Sequence, residues 1–245
     1  MTILTPNLTE FGIAALVFFA YSVRVLTGFG SVIMLSPLLS LLYPPKEAVI
    51  LVVLLESFVN LLFFIGEKLN FSLKEVYFGA SIGVLTGLFL FNFLPSRTVG
   101  IVIGVSLTII SLLLLFEFRF RVERERELFT FSGFLSGFLG VLTGVTGPQV
   151  VVTLVNQGYD SKFVRNFMIS YLFVVYTAIL FVFLMSGHLR VDAVLKLAKF
   201  SPAVVLAYVF GKRVVAKFES EKLEKVILLL VLLSSFNLLV KYTFS

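Results

Sequence analysis

The residues of this chain placed to do chemistry are glycines, hydroxyls and a few charges set inside apolar sequence. TGFGS, residues 27–31, and TGVTGPQ, residues 143–149, each interrupt a hydrophobic run with glycines, and the second adds Pro148. In hydrocarbon an unpaired backbone N–H costs several kcal/mol, so a helix breaks at membrane depth only where protein, water or a ligand supplies partners. Pro148 fits the first position of a new helix capped by Thr146 or Gly147, and in the first stretch Thr27 or Ser31 offers the capping hydroxyl. A helix start carries about half a positive charge and several free N–H groups, which suits an oxyanion. The chemistry indicated is binding of an anion by Thr27, Gly28, Gly30 and Ser31 from one break and by Thr143, Gly144, Thr146 and Gly147 from the other. Close packing of helices through glycine, with Pro37 as a simple kink, is the alternative reading of these stretches.

Ionisable and amide residues in the same runs extend the set. Arg24 precedes the first break, where it either complements a bound anion or snorkels to the nearby membrane face. Glu56 and Asn60 lie one helical turn apart on a shared face; a carboxylate buried there either forms a fixed ion pair with Arg24 or carries a coupling proton. Gln149 and Asn156 flank the limb after the second break, and as amides they orient a polar substrate or bond neighbouring helices. Arg165, opening the next run with Asn166, is either a gate on the anion path or an interfacial anchor. Gly79, Gly83 and Gly87, spaced by four, read as a packing face. His188 falls in a loop facing water, and RVDAVLKLAK, residues 190–199, reads as an interfacial amphipathic turn.

Composition sets these residues in a membrane. Hydrophobic residues make up 59% of the 245 and charged ones 14%, against about a quarter in soluble domains. The mean hydropathy is +1.06. The apolar runs reach the ~17 to 25 residues a spanning helix needs, and none shows the ~10-residue alternation of barrel strands. No basic residue precedes the first run, so it is expected to stay in the mature protein. With no Cys and a single His, haem, iron–sulfur, zinc and thiol chemistry lack their usual ligands, and no cofactor is implied. An enzyme would have only Glu56 to work with. The net charge of +6 sits beside spans, where it orients the chain and touches anionic lipid rather than nucleic acid. Membrane lipid, a small anion and, in a homo-oligomer, further copies of the chain are the partners this composition allows.

Positioning follows from the apolar runs, at about 11–43, 48–65, 76–94, 98–116, 128–157, 163–186, 193–211 and 223–241. The two broken runs open two halves on either side of the charged stretch 117–127. An offset of 116 residues places Leu26-Thr27-Gly28 on Leu142-Thr143-Gly144, Tyr43 on Tyr159 and Lys46 on Lys162; later an offset of 124 places Gly87 on Gly211 and Ser96 on Ser220. If each broken run crossed once, the basic residues would divide ten to nine between the faces, against the positive-inside rule. If each enters and returns, six (Lys46, Arg97, Arg190, Lys196, Lys199, Lys241) face outward and thirteen the cytoplasm, with Arg24 inside a span. The expected architecture is therefore an all-α membrane protein forming one transmembrane domain of two inverted-topology repeats. They cover about 8–116 and 128–241, joined by the linker 117–127, and each is a Gly-broken helical hairpin plus three transmembrane helices. Paired broken segments of this kind point to a substrate site near the midplane of a secondary transporter.

The stretches LTGFGSVIMLSPLLSLLYPPKEAV and GFLSGFLGVLTGVTGPQVVVTLVNQGYDSKFVRNFMIS resemble the two glycine-rich openings of the TauE/SafE sulfite-exporter family, whose members have two related halves. Gly147, Pro148 and Arg165 match a branch in which a Gly-Pro pair ends the second break and an Arg follows near the next span. The chain departs from the family pattern with Gly-Phe-Gly-Ser where a glycine triplet is common, and with Thr146 and Gln149 where glycine and proline are frequent. The resemblance implies a secondary transporter in the cell (plasma) membrane exporting small sulfur-containing anions, sulfite or an organosulfonate such as sulfoacetate. A passive channel-like anion pore and a carrier of another small organic anion are its rivals. No phosphate-binding loop of the GxxxxGK[ST] kind occurs, so drive by ATP is not expected of this chain.

Overall fold

The computed structural model describes residues 8–27, 30–66, 69–116, 122–214 and 220–244, leaving aside the side chains at 26, 27, 66, 212, 214 and 220–226. These residues form ten helices and no strand: α1 Leu8–Thr27, α2 Ser31–Leu42, α3 Pro45–Gly66, α4 Lys74–Phe93, α5 Ser96–Leu115, α6 Glu125–Thr143, α7 Pro148–Asn156, α8 Ser161–Met185, α9 Val191–Val214 and α10 Ser220–Phe244. Seven of them (α1, α3, α4, α5, α8, α9 and α10) are long and apolar enough to cross a membrane. The unbroken apolar runs each become one helix, and each broken run becomes a long helix followed by a short one. At 1.5 Å per residue the twelve-residue α2 is about 18 Å long and the nine-residue α7 about 14 Å, too short to cross hydrocarbon alone.

Local chemistry explains the boundaries. Pro45 opens α3 and Pro95 precedes α5, each fitting a helix start where an N–H would be unpaired. The Asp160 carboxylate caps α8, accepting from the amides of Lys162 and Phe163 at 3.0 Å each. α4 shows the inside-out pattern of a lipid-facing helix: Phe78, Ile82, Leu85, Phe89 and Phe93 are exposed along one stripe, and Gly79, Gly83 and Gly87 are buried along another. The glycine face packs directly on the backbone of α6. A Cβ at Gly79 or Gly83 would collide with the carbonyl of Thr130 or Phe134, and one at Gly133 or Gly137 with that of Val76 or Ala80. Without a hydrophobic drive between helices in lipid, such close backbone approach supplies the contact.

α3 is the central helix, with 67% of its span buried against 17% for α9, and it packs on α2, α5, α8 and α9. Around it α1 pairs with α9, α4 with α6 and α8, and α5 with α10. One end of the bundle gathers the starts of α1, α3, α5 and α9 with the end of α10: Lys199 bonds Glu10, Lys196 meets Glu47 at 3.4 Å, Arg97 donates to the carbonyls of Tyr242 and Thr243, and Lys241 donates to that of Leu41. At the other end Arg126 meets Glu75 at 3.7 Å, and the ring of Tyr159 packs on Phe129 and Phe163. Of residues 190–199, expected as an interfacial turn, those from Val191 on form the start of α9. Their charges find partners at the bundle end, Lys196 with Asp192 and Glu47 and Lys199 with Glu10, so the helix runs on without a break.

Candidate functional site

The first cluster forms where the last turn of α1 meets α2 and the middle of α3. Arg24, on α1, is 2% exposed and does not snorkel; Glu56 is fully buried and Asn60 nearly so. Arg24 Nη1 pairs with Glu56 Oε2, and Nη2 donates to Asn60 Oδ1 at 2.6 Å. Asn60 Nδ2 is held in turn by the Glu56 carbonyl at 2.8 Å. The spacing of Glu56 and Asn60 puts both on the face of α3 toward α1, and the buried carboxylate holds the guanidinium inside the bundle.

Ser31 corrects an expectation. The residue capping α2 is Gly30, in the left-handed region at φ 110° and without a side-chain cap bond. Ser31 is the first helical residue, and its hydroxyl donates to Glu56 Oε1 at 2.7 Å while accepting from Arg24 Nη1 at 3.4 Å. A carboxylate is the stronger acceptor, so the hydroxyl turns from its own helix to the charge. Gly28 and the side chain of Thr27 lie outside the described residues.

The second corner joins α6 to α7. Gly144 ends α6 at φ 76° and Gly147 caps α7 at φ 114°, conformations that carry strain for residues with a Cβ; Pro148 follows at the first helical position as its type predicts. Thr143, Val145 and Thr146 are buried with the two glycines. The corner's amides are fewer and busier than the sequence suggests. The amide of Gly147 donates to Ser136 Oγ at 3.0 Å, that of Val145 to Thr143 Oγ1 at 3.1 Å, and those of Val150 and Val151 both to the Gly147 carbonyl at 2.9 Å. Thr146 Oγ1 shares a 2.6 Å bond with Ser136 Oγ, and Tyr176 of α8 donates to the Gly144 carbonyl at 2.8 Å. A buried corner in hydrocarbon has to satisfy its own backbone, and here hydroxyls from α6 and α8 do so.

The two corners approach each other across α3. A Cβ on Gly144 would stand 3.0 Å from Val52 Cγ1, and Glu56 lies one turn further along the same helix. Ser36 of α2 donates to the Thr143 carbonyl at 2.5 Å. Arg24, Ser31, Glu56 and Asn60 are thus bonded directly, and Thr143, Gly144, Thr146 and Gly147 form the neighbouring corner.

The remaining candidates stand apart. Gln149 lines an apolar cavity of about 200 Å³ with Ile110, Leu113, Phe131 and Pro148, and its buried amide makes no hydrogen bond. Asn156 ends α7, away from the corner, and donates to the Val152 carbonyl at 2.8 Å. Arg165 is exposed near the start of α8. Sequence reasoning missed Ser36, Ser136 and Tyr176. The available signal was their polarity within apolar runs, which does not say whether a hydroxyl bonds its own helix or a neighbouring break.

His188, at the far end of the molecule, is half-buried between the rings of Phe91 and Phe183, with Nε2 2.6 Å from Asn92 Oδ1. Burial, then the Lys46 charge, hold its imidazole below the usual value of 6.5.

A chain of seven membrane-length helices with two buried, hydroxyl-lined corners beside one ion pair agrees with the comparison by family, in which the sulfite exporter TauE/SafE model matches residues 13–238. The chain belongs to the sulfite exporter TauE/SafE family. The match takes in both corners and every helix from α2 to α9. No curated protein and no solved structure matches the chain. Membership in the TauE/SafE family makes it a multi-pass membrane protein of a transporter family whose cargo is sulfur-containing anions.

Proposed function

We propose that this chain is a secondary transporter of the cell membrane that exports a small sulfur-containing anion, sulfite or an organosulfonate such as sulfoacetate. The anion binds between the two corners near the midplane and faces each side in turn. The observation that carries this reading is the meeting of the corners on α3, where Gly144 packs on Val52 and Glu56 follows one turn later, bonded to Arg24 and Ser31. Glu56 sits near the centre of the 21-residue span Pro45–Ile65, as a midplane site requires. An oxyanion would take over the donors now engaged within the protein: the guanidinium of Arg24, the hydroxyls of Ser31 and Thr146, and the Gly147 amide held by Ser136.

An inverted repeat, with residues 8–116 and 128–241 as its halves, is supported by the helix pairs. Exchanging α1–α5 for α6–α10 turns the α1–α9 contact into α6–α4 and the α3–α9 contact into α8–α4, and it leaves α3–α8 and α5–α10 unchanged. Single residues lend it further support: a Cβ on Gly87 would stand 3.1 Å from Val141 Cβ and one on Gly211 2.6 Å from Val25 Cβ, and these glycines and valines are equivalent under the two sequence offsets. The basic residues counted as outward gather at one bundle end, which supports entry and return of both hairpins. A fixed central site flanked by inverted halves is suited to alternating access.

Uptake of labelled sulfite, sulfoacetate and sulfate into liposomes holding the purified protein tests the proposal. Saturable flux of a sulfur anion is expected, lost in Arg24→Ala and in Gly147→Leu, whose new side chain would press on Leu172 and Met168 from a backbone at φ 114°. Undiminished flux in both variants would remove the corners as the site. Flux that never saturates would make the protein a pore.

A further inference from the structure

We infer that Glu56 is a resident stand-in for the transported anion: it occupies Arg24 in the empty carrier and yields Arg24 only on binding a proton, so that each anion travels with one proton. This rests on the transporter reading above and adds the coupling to it.

Arg24 and Glu56 are the buried charged residues among those described, and they are paired with each other. The two carboxylate oxygens are held separately, Oε2 by the guanidinium and Oε1 by the Ser31 hydroxyl at the first residue of α2. Those are the donors that an oxyanion entering at the first corner would use. A carboxylate and the edge of a sulfite or sulfonate group present the same pair of negative oxygens, so anion and Glu56 compete for one place. Arg24 also keeps a donor in reserve: its Nε is buried without a partner.

Charge makes the competition exclusive. In a low-dielectric interior a single guanidinium cannot compensate two anions a few ångströms apart, and an ion left unpaired there is strongly unfavourable. From α1 the groups facing Glu56 are Arg24 and Tyr21, from α2 Ser31, from α3 itself Asn60, and from α8 Tyr176. Among the described residues the other helices packed on α3, namely α5, α6 and α9, bring no buried charge. Arg24 balances ionised Glu56 in the empty carrier, and it can face one bound anionic group without a second carboxylate charge beside it only when Glu56 is protonated. In the loading step a proton from the cytoplasmic water adds to a Glu56 oxygen, the guanidinium–carboxylate bonds break, and Arg24 bonds the anion. On the outer side the anion leaves, the proton returns to water, and Glu56 takes Arg24 back. For a dianion the complex carries one net negative charge outward, a direction an inside-negative potential favours.

The test counts protons in liposomes holding the full-length protein, clamped at zero potential with valinomycin and equal potassium. The probes are labelled sulfoacetate, which carries no titrating proton near neutral pH, and labelled sulfite held alkaline as its dianion. A trapped pH dye is expected to report one proton per anion. With equal anion on both sides, making the interior one pH unit more alkaline is expected to concentrate the anion inside about tenfold. In Glu56→Gln, whose amide binds no proton, any remaining exchange is expected to ignore the gradient. Anion flux without proton movement in the wild type, or gradient-driven accumulation surviving in Glu56→Gln, overturns the coupling while leaving a transporter. If the wild type carries neither probe, the transporter reading fails and the coupling falls with it.

Discussion

Arg24 and Glu56 neutralise each other where neither can reach water, so the loss of one leaves the other stranded. Arg24→Ala and Glu56→Ala are each expected to lower stability in detergent by about 3–5 kcal/mol, whereas the paired change Arg24→Met with Glu56→Leu recovers most of it without restoring transport. Denaturant or thermal unfolding of the four proteins decides this, and single variants no worse than the double would refute it. His188 carries a pH dependence of opposite origin. Its folded-state value lies below 6.5, so in the window between the two values the unfolded chain binds more protons and stability rises with pH. The contribution is complete above about 6.5 and fades as pH falls through the lower, folded value. His188→Gln is expected to flatten this part of a melting-temperature profile, and an unchanged profile would assign the effect elsewhere. The ion-pair partners were legible at this scale, because charges are rare in the spans and Glu56 and Asn60 are one turn apart. The roles of Ser31, Ser36, Ser136 and Tyr176 were not, since a hydroxyl has partners on its own helix and on its neighbours alike.

Helices α4 and α6 meet backbone to backbone through glycines, so their crossing tolerates no added atoms. Gly83→Leu is expected to force the pair apart at a loss of at least ~1–3 kcal/mol, while Gly12→Ala, with nothing within 4 Å of the new methyl group, is expected to be silent. Equal melting temperatures for the two variants would rule out the tight crossing. The spacing of Gly79, Gly83 and Gly87 announced this face, and Pro148 announced the start of α7. At the start of α9 the expected turn is helix from Val191 on, with Glu10 and Glu47 opposite its lysines at the bundle end.

For the molecule as a whole, topology is testable because the chain has no cysteine of its own. Single cysteines replacing the exposed Glu47 or Arg97 are expected to react with an impermeant maleimide from outside intact cells, and those replacing Glu123 or Asp160 only after the membrane is opened. Labelling of all four from one side would end the scheme of returning hairpins. The sequence alone determined the membrane setting, the helices and where two of them break, since hydropathy, glycine and proline act over a turn or two of chain and need no partner to be read. Only the tertiary structure decided what fills the breaks. Ser136 takes the amide that an anion was expected to hold, and Glu56 takes the arginine, because burying a backbone corner and a charge together demands partners that the chain brings from 11 and 32 residues away.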